Sequence, residues 1–164
     1  MIHLTLLRHA KARPAEHGQS DHERALAPRG WDDARRVAQA LASAGRTPDL
    51  ILCSDARRCQ ETWEAVCDVF GGVATRTLEA LYLADAETIG RYANAQESNN
   101  FMVIAHNPGI HTLASLWSPI GDAGCVRMRQ NFATAGAAMF DRNSKVDMWT
   151  FKGYFRPKEL RPEE

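Results

Sequence analysis

The 164-residue chain balances 20 Lys and Arg against 20 Asp and Glu, so no net field draws it to nucleic acid or to an anionic membrane. Any phosphate site must therefore be a local cluster of positive groups. With 45% apolar and 24% charged residues the composition is that of a globular domain, long enough to bury a core. No apolar run nears the roughly 20 residues that span a bilayer. The start, MIHLTLLRHAKAR, lacks the pattern of a signal peptide. Cys53, Cys59, Cys67 and Cys125 form no Cys-x-x-Cys pair, so free thiols in a reducing cytoplasm are expected.

Taken in chain order, Ile2 to Leu7 is an apolar run that reads as a buried strand. A long polar stretch without a clear period, Ala10 to Ala27, follows; such loops in compact domains are usually functional or mobile. Pro28 can open a helix whose Trp31, Ala34, Val37, Ala38 and Leu41 share one face, and Gly45 and Pro48 end it. Asp49 to Cys53 predicts a second strand. Ser54 or Asp55 could cap a helix running to about Phe70, closed by Gly71-Gly72. Val73 to Thr77 suggests a short strand, and Asp85 to about Gln96 a helix. FMVIA, Phe101 to Ala105, is the clearest buried strand, and Asn107-Pro108-Gly109 starts a helix carrying Leu113, Leu116 and Trp117. Two further strands are expected near Ala135 to Phe140 and Val146 to Phe151, before a polar tail, RPKELRPEE, expected to fray. Strands alternating with helices predict an α/β fold, a three-layer α/β/α sandwich around a mostly parallel central sheet, built as one domain over 1–155 with a tail over 156–164.

Sheets of this kind present ligands beyond the carboxyl ends of their strands. Three such ends carry unusual groups: Arg8-His9, Ser54-Asp-Ala-Arg57-Arg58, and His106-Asn107. Singly each is weak, since a histidine after a strand is more often structural and an Arg-Arg pair in a first helical turn is usually solvated. Their agreement is what carries weight. Guanidinium forks match phosphoryl oxygens bidentately and keep their charge, and a neutral imidazole is a competent nucleophile near neutrality. A phosphoryl transition state spreads charge over three oxygens, so positioned cations do most of the work.

LLRHAKA resembles the Arg-His signature of the histidine phosphatase superfamily, whose fold is phosphoglycerate mutase-like. SDARRCQET resembles its Ser-x-x-x-Arg-Ala-x-x-Thr element, with Ser54, Arg58 and Thr62 in register and Cys59 in place of Ala, and VIAHNPGI resembles its second histidine element. RALAPRG, LEALYLAD and FATAGAAMF are similar to the small SixA-type phosphohistidine phosphatases, and the match runs in order through nearly the whole chain. The resemblance implies that His9 is the nucleophile, that Arg8 and Arg58 bind phosphoryl oxygens, and that His106 binds the group and stabilises the transition state. It makes Arg24 a further anion contact, places Lys11 and Asn107 at the rim, and turns Arg57 to solvent. The substrate it implies is phosphohistidine in a protein, or else a small phosphate ester, with no cofactor, nucleic acid or membrane involved.

Larger members carry an acid that protonates the leaving oxygen. In LEALYLADAE, Glu79 or Asp85 could serve, but each is as readily a solvated carboxylate. A missing acid is tolerable if imidazole is the leaving group. A cysteine phosphatase needs Cys-x5-Arg, and Cys53 and Arg58 are one residue too close. A metal hydrolase could draw on His17/His22 and His106/His111, but neither is a His-x3-His pair. A silent phospho-ligand binder would need the arginines without both histidines.

Overall fold

The computed structural model describes residues 1–163. Six strands form one sheet: β1 (Ile2–Arg8), β2 (Leu50–Ser54), β3 (Ala74–Leu78), β4 (Asn100–Ala105), β5 (Ala137–Arg142) and β6 (Thr150–Phe155). Their order is β3-β2-β4-β1-β5-β6; the first four are mutually parallel, and β5 and β6 run antiparallel at one side. The helices are α1 (Pro28–Ser43), α2 (Arg57–Phe70), α3 (Ala86–Asn94), α4 (Gly109–Leu116), α5 (Ala123–Gln130) and α6 (Pro157–Leu160). The central strands β1 and β4 are apolar on both faces because side chains alternate across a pleat that is covered twice. Leu4, Leu6, Phe101, Val103 and Ala105 face one core with Ile89, Leu113 and Met128 of α3 to α5. Leu7, Met102 and Ile104 face the other with Val37, Leu41 and Val66 of α1 and α2. The result is the expected three-layer sandwich.

Four expectations need correction. The last strand lies later than Val146 to Phe151: Val146 is 93% exposed in a turn closed by Asp147 N–H donating to the Ser144 carbonyl. The apolar residues of VDMW suggested the strand, whereas Gly153, at a register shift against β5, hides the true one. Second, α5 fills the stretch between Trp117 and Ala135 that carries no helical period; it starts because Asp122 accepts from the Gly124 and Cys125 amides. Third, the tail expected to fray contains α6, with Pro157 buried and Arg161 bridged to Asp33 of α1. Finally, the 10–27 loop is not structureless: Ala12 and Leu26 bridge, and a 3-10 turn spans Asp21–Glu23.

Two glycines let elements approach closely around the carboxyl end of the parallel strands. A Cβ on Gly30, in the first turn of α1, would run into the Lys11 carbonyl oxygen, and one on Gly109, at the start of α4, into the Ala84 carbonyl oxygen. Backbone cannot yield as a flexible side chain can. Gly109→Ala should therefore destabilise the protein by about 1–3 kcal/mol, the usual cost of overpacking, measured by urea denaturation. Gly45→Ala, whose Cβ would meet nothing but whose φ is +72°, should cost less. Equal costs would show that the close approach at Ala84 is not what selects glycine.

Candidate active site

His9 follows β1 directly, and its backbone stays pinned to the sheet: its N–H donates to the Ala105 carbonyl at 3.1 Å and its carbonyl accepts from Ala135 N–H at 3.1 Å. The residue is 8% exposed. Its Nδ1 lies 2.8 Å from the Ala10 carbonyl, and Arg58 Nε donates to its Nε2 at 3.3 Å. A guanidinium can only donate, so Nε2 is the acceptor and the proton is on Nδ1. The lone pair that faces Arg58 is thus the one able to attack phosphorus. Burial, reinforced by His106, Arg58 and Arg8, lowers the His9 pKa to about 3 against the pull of the Ala10 carbonyl.

His106 follows β4 directly and lies with its ring centroid 5.2 Å from that of His9. Arg58 Nη2 donates to its Nδ1 at 3.3 Å, which leaves the Nε2 hydrogen for Ser54 Oγ at 2.8 Å. Ser54 Oγ also accepts from Ala56 N–H. Burial first, then the Arg58 charge, lowers the His106 pKa to about 4. Both imidazoles are therefore neutral at physiological pH, with one bare nitrogen each turned to the same guanidinium.

Arg58, in the first turn of α2, is 3% exposed, whereas its neighbour Arg57 points outward onto Glu61. Arg8, the last residue of β1, donates Nη1 to the Phe132 carbonyl at 2.9 Å, and its Nε is buried without a partner. Asn107 donates Nδ2 to the same carbonyl at 3.2 Å. A buried donor without a partner is costly, and the Arg8 charge lies near enough to His9 to help lower its pKa. Thr62, one turn beyond Arg58, accepts from Ala10 N–H at 3.0 Å and donates to the Arg58 carbonyl at 2.6 Å, tying the nucleophile loop to α2.

Four of the sequence-derived residues, Arg8, His9, Arg58 and His106, thus meet at one end of the sheet, with Asn107 beside Arg8. Arg24 is turned elsewhere: its Nη1 donates to Asp21 at 3.0 Å and its Nε to the Arg13 carbonyl at 2.9 Å. Lys11 is exposed. Asp85 caps α3, accepting from Thr88 N–H, and that bond lowers its pKa, the opposite of what a general acid needs. Glu79 is exposed in a 3-10 turn. Burial pushes the Cys59 thiol up to about 12 and Cys53 well above the thiol range, so both are protonated and inert. Among the described residues no group of three or more His, Cys, Asp or Glu is arranged to hold a metal, and no helix is long and apolar enough to cross a membrane.

Sequence reasoning did not find Asp21 and Tyr82. Asp21 Oδ2 accepts from Arg58 Nη2 at 3.0 Å and from Tyr82 Oη at 2.6 Å, and the Tyr82 ring stands edge-on to His106 with centroids 5.4 Å apart. The only signal was a carboxylate three residues before Arg24, indistinguishable from the neighbouring Glu23.

Residues 4–82 match the model of the histidine phosphatase superfamily, branch 1. Among solved structures, a candidate phosphohistidine phosphatase SixA from Agrobacterium tumefaciens is 31% identical, with 95% of this chain and 98% of that one covered and a TM-score of 0.84. The protein histidine phosphatase SixA complexed with tungstate shares the fold at 23% identity, with 98% and 100% covered and a TM-score of 0.82. An uncharacterized chloroplastic protein of Arabidopsis thaliana is 35% identical over 70% of this chain, which spans 58% of that protein's length. One from Mycobacterium leprae is 30% identical, with 82% and 86% covered.

The depressed imidazole pKa values make stability depend on pH. The unfolded chain protonates His9 near 6.5 whereas the folded chain holds it neutral to about 3. As pH falls below 6.5 the unfolded state binds the proton first, so the stability present above that value is lost on acidification. His106 adds the same sign down to about 4. Melting temperatures from about pH 7.5 to about pH 4.5 should fall, and less steeply for His9→Asn, which has no proton to gain. An unchanged slope in that variant would assign the effect to other groups.

Proposed function

The chain belongs to the histidine phosphatase superfamily, and we propose that it hydrolyses phosphohistidine in a protein through transient phosphorylation of His9. The observation that carries this reading is the bare Nε2 of His9, buried and neutral, facing the inner edge of Arg58. A phosphoryl group entering between His9 and His106 would meet Arg58 N–H groups, with the Arg8 charge close behind His9. In the first step Nε2 attacks phosphorus as the bond to the substrate nitrogen breaks. A substrate imidazole protonated at its far nitrogen departs as neutral imidazole, keeping the bonding pair. The phosphorylated His9 ring then bears both the phosphoryl group and its Nδ1 hydrogen, and the Ala10 carbonyl, 2.8 Å away, stabilises that cationic ring. Water attacks phosphorus, the bond to Nε2 breaks, and inorganic phosphate leaves with His9 again neutral. The arginines neutralise charge that spreads over the equatorial oxygens. His106, whose pKa a bound dianion would raise, gains a proton it can donate to one of them.

Phosphohistidine is favoured over alkyl esters because neither Asp85 nor Asp21 is set up to give a proton to a leaving oxygen. Asp85 is a cap, and Asp21 is held ionised by Tyr82 and its two arginines. Alkoxide departure leans on a general acid worth roughly 10²–10⁴-fold. The four free cysteines support the cytoplasmic location, where phosphorylated protein partners would be met.

His9→Ala should leave less than about 1% of wild-type turnover with the fold retained by circular dichroism. Rapid quench should trap a phosphoramidate that survives alkali and decays in acid; an acid-stable adduct would point to another nucleophile. Phosphohistidine protein and p-nitrophenyl phosphate should exceed alkyl phosphates in kcat/KM by about tenfold or more. An alkyl phosphate winning by that margin, with the advantage lost in Glu79→Gln, would make the enzyme a phosphomonoesterase instead.

A further inference from the structure

We propose that Asp21 is a positioning residue for phosphoryl transfer, holding the outer edge of the Arg58 guanidinium so that its inner edge stays aimed between His9 and His106. The proposal rests on the reading of the site given above. Arg58 divides its N–H groups unequally. On the inner side Nε faces His9 Nε2 and Nη2 faces His106 Nδ1, both at 3.3 Å, long bonds to neutral acceptors. On the outer side Nη1 donates to the Asp21 carbonyl at 2.8 Å and Nη2 to its carboxylate at 3.0 Å, shorter bonds of which one is charge-assisted. The outer edge is anchored, and the inner edge is the one phosphoryl oxygens can take over.

Asp21 is itself held from two directions. Tyr82, arriving from beyond β3, donates its hydroxyl to Oδ2 at 2.6 Å, and Arg24 donates to Oδ1 at 3.0 Å. This gives Arg24 an indirect part: it steadies the clamp. The carboxylate stays ionised, with the Tyr82 hydrogen bond as the leading cause, so it cannot serve as a proton donor. The Asp21–Tyr82 bond also links the 10–27 loop to the segment after β3 across the mouth of the site. Without the Asp21 carboxylate only the backbone carbonyl holds the outer edge, and the planar guanidinium can swing about its Cγ–Cδ and Cδ–Nε bonds; misplacement by about 1 Å costs up to roughly 10²-fold in rate. Two other roles are distinguishable: a carboxylate that merely folds the loop, and one that competes with phosphate for Arg58.

The test measures kcat and KM for p-nitrophenyl phosphate, with inhibition by vanadate and by phosphate, in wild type, Asp21→Ala, Tyr82→Phe, Arg58→Lys and the Asp21→Ala/Arg58→Lys double variant. Asp21→Ala should lower kcat by roughly 10–100-fold and weaken vanadate inhibition similarly, while KM and phosphate inhibition change less than about threefold. Tyr82→Phe should show the same pattern in smaller measure. In the Arg58→Lys background, where no outer edge exists to hold, removing Asp21 should change kcat less than about twofold. An equal loss in both backgrounds would overturn the proposal in favour of loop folding. Tighter binding of both anions in Asp21→Ala would overturn it in favour of competition. The clamp can also be read without turnover, from the side-chain Nε–H resonance of Arg58 in ¹⁵N-arginine-labelled protein. A sharp signal in wild type that broadens in Asp21→Ala supports the clamp even if wild type shows no His9-dependent hydrolysis, which would sink only the functional reading. A signal indifferent to Asp21 overturns the clamp itself.

Discussion

The hydrogen bond from Arg58 Nε to His9 Nε2 constrains the rest of the site, because it places a permanent cation against a lone pair that must not be protonated. A nucleophilic imidazole beside guanidiniums stays neutral only if it is also removed from water, and burial is the leading cause of its lowered pKa. Burial in turn favours a partner for each polar atom around the ring. Nδ1 is met by the Ala10 carbonyl, Ala10 N–H by Thr62, and the Thr62 hydroxyl by the Arg58 carbonyl. That chain of bonds returns to the residue where it began.

Seen this way, the spacing Ser54, Arg58, Thr62 has a mechanical meaning. Arg58 and Thr62 lie four apart on α2 and so share a face. Arg58 reaches both histidines from it, while Thr62 fixes the loop that carries one of them. Ser54, at the end of β2, receives the His106 Nε2 hydrogen and so leaves Nδ1 bare for Arg58. The replacement of Ala by Cys59 at the next position is tolerated because the thiol is buried, protonated and only 3.4 Å from His106 Nε2, where it acts as packing.

The sandwich and the four central residues were legible in the sequence because each strand core is continuous and apolar and ends abruptly in Arg8-His9, Ser54 or His106. What was not legible depended on contacts distant in sequence. Asp21 and Tyr82 are 61 residues apart, so no local pattern pairs them. Arg24 was expected on the anion and instead steadies Asp21, a distinction that turns on side-chain direction. The last strand was misplaced because Gly153 interrupts TFKGYF while exposed Val146 and Met148 imitate a strand. Helix α5 rests on a single cap, Asp122, ahead of residues with no strong period.

The antiparallel placement of β5 against β1 brings the beginning of β5, not its end, to the site, so the Phe132 carbonyl and Ala135 N–H meet Arg8 and His9. A ribosome makes His9 well before the segment that shelters it. Until Gly136 and Ala137 have emerged, β1 lacks a neighbour on one side, and the imidazole is an ordinary wet base, exchanging its proton with water as in any peptide. Its reactivity is therefore acquired in one step, when the longest-range strand pairing closes. A nascent or truncated chain would carry the whole Arg-His signature and none of its chemistry.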